Sequence, residues 1–580
     1  MKQKKWQIQA KLKAKDGQKR RDELVKILLG NRGIKNKKKQ EDFFNPQNPL
    51  KIPFKETGIK VLEVKKAITR IKRAIKKQEL VVIYGDYDAD GITATAILWE
   101  ALNELKAKVF PFIPHRENHG YGLNKKGLDS LLEQYGKPDL IITVDNGIVA
   151  FEGAEYCQKL AIDLIISDHH QKKSSKVKNQ KTKQKLPKAL AIVQTDKLAG
   201  AGVAWFLARE IKKAVRLHLN HSSKEQTSSS RLELAAIGTI ADMMPLLEIN
   251  RSLVKFGLEQ FKNTQRPGLK TLFTEAQIDL NQVSTYNISF IIAPRLNAMG
   301  RLEHGLDSLR LLCTKDEQRA IRLAVNLGNV NKQRQDLTFS VLKHAQEEVA
   351  SSKENKKQRL LFISHESYNH GVIGLVAGKL VEKFWRPTIV VAKGKNHSKG
   401  SVRSVPGVNI IEMLRQFEND FVDLGGHPMA AGFTIKTNKL PEIQKKLENL
   451  AIEQISEDLL LPNLEIECEI DLGDINYQLY RVLEKFEPFG IGNRRPVLAA
   501  KKINIIEYRN VGRDGKHVRL KLKAEGVEIF EAIFFNGAKK VALLDSSQPV
   551  DVAFQIDENN WNGQKSLQLV IKEIRQANFN

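Results

Sequence analysis

Residues 59–78 place Val61, Val64, Ala67, Ile68, Ile71 and Ile75 at helical intervals and leave lysines and arginines on the opposite side, so an amphipathic helix is expected there. It runs into LVVIYGDYDADG (80–91), a short apolar stretch that ends in a turn crowded with carboxylates. Uniform apolarity over so few residues predicts a strand buried on both faces, and ITATAILWEALNELK after it predicts a helix. The same arrangement recurs in DLIITVDNGI (139–148) and AIDLIISDHH (161–170), where an apolar run again ends at aspartate. Strands of this kind alternating with helices imply a parallel sheet covered by helices on both faces. In such sheets functional groups collect at the carboxyl ends of the strands.

Further along, 307–350 has helical periodicity without proline and suits long connecting helices. The stretch 359–455 alternates strands with glycine turns and closes on a helix near 440–455, which predicts a second α/β domain. Beyond 463 come short alternating strands separated by turns, the pattern of a small closed β-barrel of the oligonucleotide-binding (OB) type. The expected division is a basic segment at 1–45, a catalytic domain at 46–306, connecting helices at 307–350, a second α/β domain at 351–457 and the barrel at 458–580.

Composition changes this picture in two ways. The net charge of +27 is concentrated: residues 1–39 hold fifteen Lys/Arg against three Asp/Glu, and 171–188 hold eight Lys with no acid, together twenty of the 27 charges. Such runs fit either a nucleic-acid footprint or a solvated, unfolded tail and loop. A second insertion, 218–230, is rich in Ser and His and reads as a surface loop. With neither an apolar run of about 18 residues nor a secretory leader, the sequence predicts a cytoplasmic protein away from membranes. Cys157, Cys313 and Cys468 lie too far apart for a metal knuckle or a disulfide framework and are expected as buried thiols.

The chemistry lies in the acidic turns. Asp86, Asp88 and Asp90 alternate on one turn, and like charges so close call for a cation. A calcium loop of the EF-hand type is excluded, because counting from Asp86 the twelfth place is Ile97 where a bidentate Glu is required. Asp145, Asp168, His169, His170 and Asp242 are the other candidates. Singly, such residues cap helices or sit satisfied in cores; several at one sheet edge indicate a metal site. Carboxylates with imidazole suit Mn2+ or Mg2+, and two such ions suit phosphoester hydrolysis.

YGDYDADGITATA, TVDNGI, SDHH and IADMMPL resemble, in order, the four motifs of the DHH phosphoesterase superfamily. The likeness is closer to the RecJ family of bacterial single-strand-specific exonucleases. It extends through DFFNP (42–46), APRLNAMGRL (293–302), NKQRQ (331–335), HGVIGLVAGKL (370–380), GSVRSVPGVNI (400–410), GGHPMAAGF (425–433) and EPFGIGNRRPVL (487–498). This resemblance implies that Asp88, Asp90, Asp145, His169 and Asp242 ligate two Mn2+ or Mg2+ ions, with Asp86 and Asp168 as additional or outer ligands and His170 facing the scissile phosphate. It implies substrate contacts from Arg295, Asn297, Arg301, Ser401, Arg403, Gly425, Gly426 and His427, an arginine in APRLNAMGRL being also able to brace Asp242. One departure stands out: many relatives place His where this chain has Tyr84.

By the same resemblance the chain is a monomeric 5′-to-3′ exonuclease of single-stranded DNA that releases mononucleotides in repair and recombination, alongside a RecQ-like helicase and a single-strand-binding protein. Phe489, Tyr508, Phe530, Phe534 and Phe535 are candidate stacking aromatics of the barrel or parts of its core. The rival readings are another DHH enzyme acting on short RNA, cyclic dinucleotide or pyrophosphate, and a binding scaffold that has lost catalysis. The first lacks the long extension with a barrel, and the second loses the acids that are all present here.

Overall fold

A computed structural model describes residues 4–577 except 16, 173–184, 217–230, 352–357 and 562. The insertion at 218–230 and most of 171–188 lie outside the described residues. The chain forms two compact units: Glu41–Arg334 with Pro488–Arg494, and Met1–Gln40 with Gln335–Glu487 and Arg495–Asn580.

The first unit is built on an all-parallel sheet in the order Val109–Phe112, Val81–Tyr84, Leu140–Val144, Asp163–Asp168, Ala191–Gln194. Alternation decides which side chain goes where. Val81, Ile83, Leu140, Ile142 and Ile165 join a large core with the helices Val61–Lys77, Ala89–Glu104, Gly200–Arg216 and Leu232–Ala241. Val82, Tyr84, Ile141, Leu164 and Ile166 face the smaller layer under Lys125–Tyr135 and Phe151–Lys159. Both faces are covered, which is why these strands are apolar at most positions, Val81–Tyr84 along its whole length.

The second unit holds a five-stranded mixed sheet in the order Phe421–His427, Ala430–Lys436, His397–Arg403, Thr388–Ala392, Leu361–His365. It also holds the barrel. Leu498–Val511, His517–Lys523, Phe530–Phe534, Gln564–Gln576 and Val550–Trp561 pair in that order, and Leu498–Val511 pairs again with Val550–Trp561 to close the ring. Phe534 belongs to its buried residues, while Tyr508 and Phe535 are exposed and Phe530 is half-buried.

Of the two readings of the basic N-terminal segment, the unfolded tail does not hold, and one expectation is corrected. Lys5–Ile8 pairs in parallel with Asn463–Ile466, and Gly17–Asn31 forms a helix. Acids answer part of its charge, Arg20 pairing with Asp471 and Asp474 and Arg32 with Glu467. Phe489 is not a barrel residue either. Its segment, Pro488–Arg494, belongs to the first unit, where the Thr285 hydroxyl donates to its carbonyl. No helix among the described residues is long and apolar enough to cross a membrane.

Candidate metal centre

The strand ends bring the acidic turns together. Beyond Tyr84, Asp86 is buried and accepts the Tyr87 N–H at 2.7 Å. Asp88 caps the helix Ala89–Glu104, its Oδ1 accepting the N–H groups of Asp90 and Gly91 at 3.0 Å each. Asp90, in the first turn of that helix, lies at the start of another: its oxygens accept Gly200 N–H at 2.7 Å and Ala201 N–H at 2.8 Å. Asp145 follows the strand Leu140–Val144 in a left-handed conformation (φ 63°), which turns its carboxylate back over the sheet edge.

His169 occupies the middle. Its Nε2 lies 3.1 Å from Asp145 Oδ1 and 3.8 Å from Asp90 Oδ2, and its Nδ1 lies 3.7 Å from Asp242 Oδ2. Three groups of ligand atoms are close enough to share an ion: Asp90, His169 and Asp242; Asp86, Asp88 and Asp145; Asp145, His169 and His170. Asp168 is in none of them. One of its oxygens accepts the His169 and His170 N–H groups and meets His170 Nδ1 at 2.8 Å, and the other accepts Ile148 N–H at 2.8 Å. That saturation suits a residue that orients His170.

The electrostatics follow from burial and crowding. Burial first, then neighbouring carboxylates, push Asp86, Asp90 and Asp145 well above the usual carboxylate range. The same causes raise Asp242 to about 7. Burial lowers His169 to about 4 and keeps it neutral, as a ligand must be. Burial would also lower His170, but the hydrogen bond and charge of Asp168 outweigh it and raise His170 to about 9. That shift favours the imidazolium form of His170, whose Nε2 meets the Tyr121 hydroxyl at 3.3 Å.

The residues fit a divalent cation on evidence of their own. Asp145 Oδ1 is buried without a hydrogen-bond partner, which is costly unless a cation answers it. Oxygens and imidazole nitrogen without thiolate suit Mn2+ or Mg2+ better than structural zinc. Small residues make the crowding possible: a Cβ on Gly200 would stand 2.6 Å from Asp145 Oδ1, and one on Gly238 would stand 2.5 Å from Asp90 Oδ1. Sequence reading missed both glycines, because each is remote in the chain from the acid it admits.

The other expected residues are distributed as follows. Tyr84 is fully buried on the far face of the sheet, donating to the Gly122 carbonyl at 3.1 Å, so the departure at this position leaves the cluster without a ligand from it. Asn297 Oδ1 accepts Ala89 N–H at 2.7 Å and braces the acidic turn. Arg295 pairs with Glu275 at 2.7 Å and not with Asp242. Arg301, in the last turn of Ala293–Leu302, is near enough for its charge to act on the Tyr87 phenol.

In the second unit, strand register aligns Ser401 with Gly432 and Gly425, and Arg403 with Ala430 and His427. Gly426 lies at φ 149° against Ala431, whereas Gly425 faces open space. Arg403 is desolvated, which lowers its pKa, and it has no ion-pair partner among the described residues. A Cβ on Gly374, at the start of the helix Ile373–Phe384, would lie 2.9 Å from Ser401 Oγ and 3.4 Å from an Arg403 guanidinium nitrogen. A guanidinium, a hydroxyl and a helix N-terminus so placed form a cradle for an anion.

Three known families match along the chain: the DHH family N-terminal domain over residues 80–239, the DHHA1 domain over 357–453 and the RecJ OB domain over 466–573. The single-stranded-DNA-specific exonuclease RecJ of Bacillus subtilis is 33% identical over 584 residues, 98% of this chain and 70% of the relative. The chain belongs to the RecJ family. Among solved structures, RecJ from Thermus thermophilus in complex with Mn2+ matches with a TM-score of 0.79 and 27% identity over 99% of this chain and 80% of that one. The Mg2+ complex of that RecJ matches with a TM-score of 0.74 and 25% identity, over 99% and 79%.

Proposed function

We propose that this chain is a metal-dependent exonuclease specific for single-stranded DNA, acting from the 5′ end and releasing mononucleotides. The observation that carries the reading is the convergence of Asp86, Asp88, Asp90, Asp145, His169 and Asp242 on one sheet edge, with Asp145 and His169 each shared between ligand groups. Such sharing suits two ions. Asp90, Asp145, His169 and Asp242 would hold one, and Asp86, Asp88 and Asp145 the other. When bound, a pair of divalent ions activates water and neutralises charge on the phosphoryl oxygens.

The protein's own groups do the rest. His170, kept protonated by Asp168, donates from Nε2 to a non-bridging oxygen of the scissile phosphate, exchanging Tyr121 for substrate. The cradle of Ser401, Arg403 and the start of Ile373–Phe384 takes the 5′-terminal phosphate, and this sets the polarity of digestion. The barrel holds downstream nucleotides, with Tyr508 and Phe535 as exposed stacking surfaces. A RecQ-like helicase and a single-strand-binding protein would supply and manage its substrate in DNA repair and recombination.

The test uses 5′-labelled and 3′-labelled single strands, duplex and RNA, each with Mn2+ or Mg2+, and an Asp88→Ala control. Mononucleotides should appear at once from the 5′ label and only late from the 3′ label. Release in the opposite order, or faster turnover of duplex, would overturn the proposal.

A further inference from the structure

The segment EPFGIGN has no role in the chemistry above, yet it packs against Pro245 and Leu246, shortly after Asp242 in the chain. Asp242 closes the helix Leu232–Ala241, its N–H donating to the Gly238 carbonyl at 2.9 Å. Its carboxylate differs from those of Asp86, Asp88 and Asp90, which accept backbone N–H groups. Among the described residues no hydrogen bond holds the Asp242 carboxylate, so its position is set by the backbone that carries it. At the next residue the backbone turns: Met243 adopts φ 56°, the left-handed step that closes a helix C-terminus, with the Met243 and Met244 N–H groups donating to the Ile240 and Thr239 carbonyls at 3.1 and 3.2 Å, while its side chain is 68% exposed and adds no packing.

Beyond that closure, the chain after the turn is restrained by Pro488–Arg494. Leu246 N–H donates to the Ile491 carbonyl at 2.7 Å, and a Cβ on Gly490 would lie 2.6 Å from Leu246 Cδ1. The loop is rigid in itself. Gly490 and Asn493 exchange backbone hydrogen bonds at 2.9 and 3.2 Å, and the Asn493 side chain donates to the Pro488 carbonyl at 2.9 Å. It is also fastened from outside: Thr285 Oγ1 donates to the Phe489 carbonyl at 2.7 Å, and the fully buried Arg251 reaches both the Pro488 and Phe43 carbonyls.

We infer that Pro488–Arg494 is a positioning element of the metal site, clamping the turn after Asp242 through Leu246 so that this carboxylate faces His169. Gly490 and Thr285 are its positioning residues. The inference rests on the reading of Asp242 as a ligand. Because the clamp leads directly into the barrel strand Leu498–Val511, it also makes the metal site dependent on sequence far downstream of its ligands.

The test is a Mn2+ titration of the full-length protein followed by the electron paramagnetic resonance signal of free Mn2+, with melting of the metal-free protein recorded in parallel. Gly490→Val, which drives a side chain into Leu246, and Thr285→Val, which unfastens the loop, are each expected to weaken Mn2+ binding about tenfold, the scale on which outer partners of a metal site act. Thr285→Ser should restore it. If Gly490→Val does not fold, the Thr285 pair decides alone. Wild-type Mn2+ affinity in folded Thr285→Val protein, or failure of Thr285→Ser to rescue, overturns the inference. Asp242→Asn separates the two readings: if it binds Mn2+ as tightly as wild type, the ligand assignment fails; if it binds weakly while Thr285→Val does not, only the clamp fails.

Discussion

Replacing Asp168 with asparagine isolates what the Asp168–His170 pair contributes. The carboxylate holds the His170 imidazolium at 2.8 Å and raises its pKa from 6.5 to about 9. Without that charge the value falls back towards the ordinary 6.5, since burial is then opposed only by the smaller pull of Asp86 and Asp242. With a return to 6.5, the protonated fraction at pH 8.5 drops from about three quarters to about one per cent, so a step that needs the imidazolium slows about 80-fold; at pH 6 the loss is only about 1.3-fold. The variant also loses an acceptor for the N–H groups of Ile148, His169 and His170, a cost that does not depend on pH. The assay is kcat/KM on a short 5′-phosphorylated strand in saturating Mn2+ from pH 6 to 9, wild type beside Asp168→Asn. A deficit of the same size across the range would refute the reasoning, because it would mean that Asp168 orients His170 without controlling its charge.

Further outcomes are expected at the metal site and the anion cradle. Without metal, Asp145→Asn should melt a few degrees above wild type at pH 8, because it relieves like-charge crowding, while Mn2+ should stabilise the variant less. Wild type in chelator should itself melt higher at pH 6 than at pH 8: Asp242 has a folded value of about 7, above its ordinary 3.8, so its contribution is present at low pH and lost as pH rises through 7. Scanning fluorimetry reads both, and a flat pH response would contradict the second. Arg403→Ala should raise KM about tenfold on 5′-phosphorylated strands with kcat unchanged, as expected for a group that holds substrate and transition state alike. Equal losses on 5′-hydroxyl strands would show that Arg403 does not read the terminal phosphate.

The acidic turns were legible because strand, turn and carboxylate are contiguous in the chain, as in Val81–Tyr84 followed by Asp86, Asp88 and Asp90. The parallel sheet was legible because burial on both faces leaves an unbroken apolar run. Contacts between distant segments were not. Gly200 and Gly238 make room for Asp145 and Asp90 across more than fifty residues, and a glycine carries no local mark of such a duty. Asp168 reads as one more ligand until its hydrogen bonds are traced, and Phe489 reads as a barrel aromatic until its loop is found docked beside Leu246. The lysines at the N-terminus suggest solvent because the acids that answer the charge of their segment, Glu467, Asp471 and Asp474, come more than four hundred residues later.

That last pairing bears on how the chain is made. The strand Lys5–Ile8 leaves the ribosome early, but its partner Asn463–Ile466 begins 458 positions later. At about 5–20 residues per second the strand waits roughly half a minute to a minute and a half with its edge unpaired. Lys5 opens the strand, and lysines at 4, 11, 13 and 15 flank it throughout that interval. Charge of one sign is a means by which an open strand avoids pairing with a neighbouring nascent chain. The lysines around Lys5–Ile8 give the open strand that charge until Asn463–Ile466 has been made.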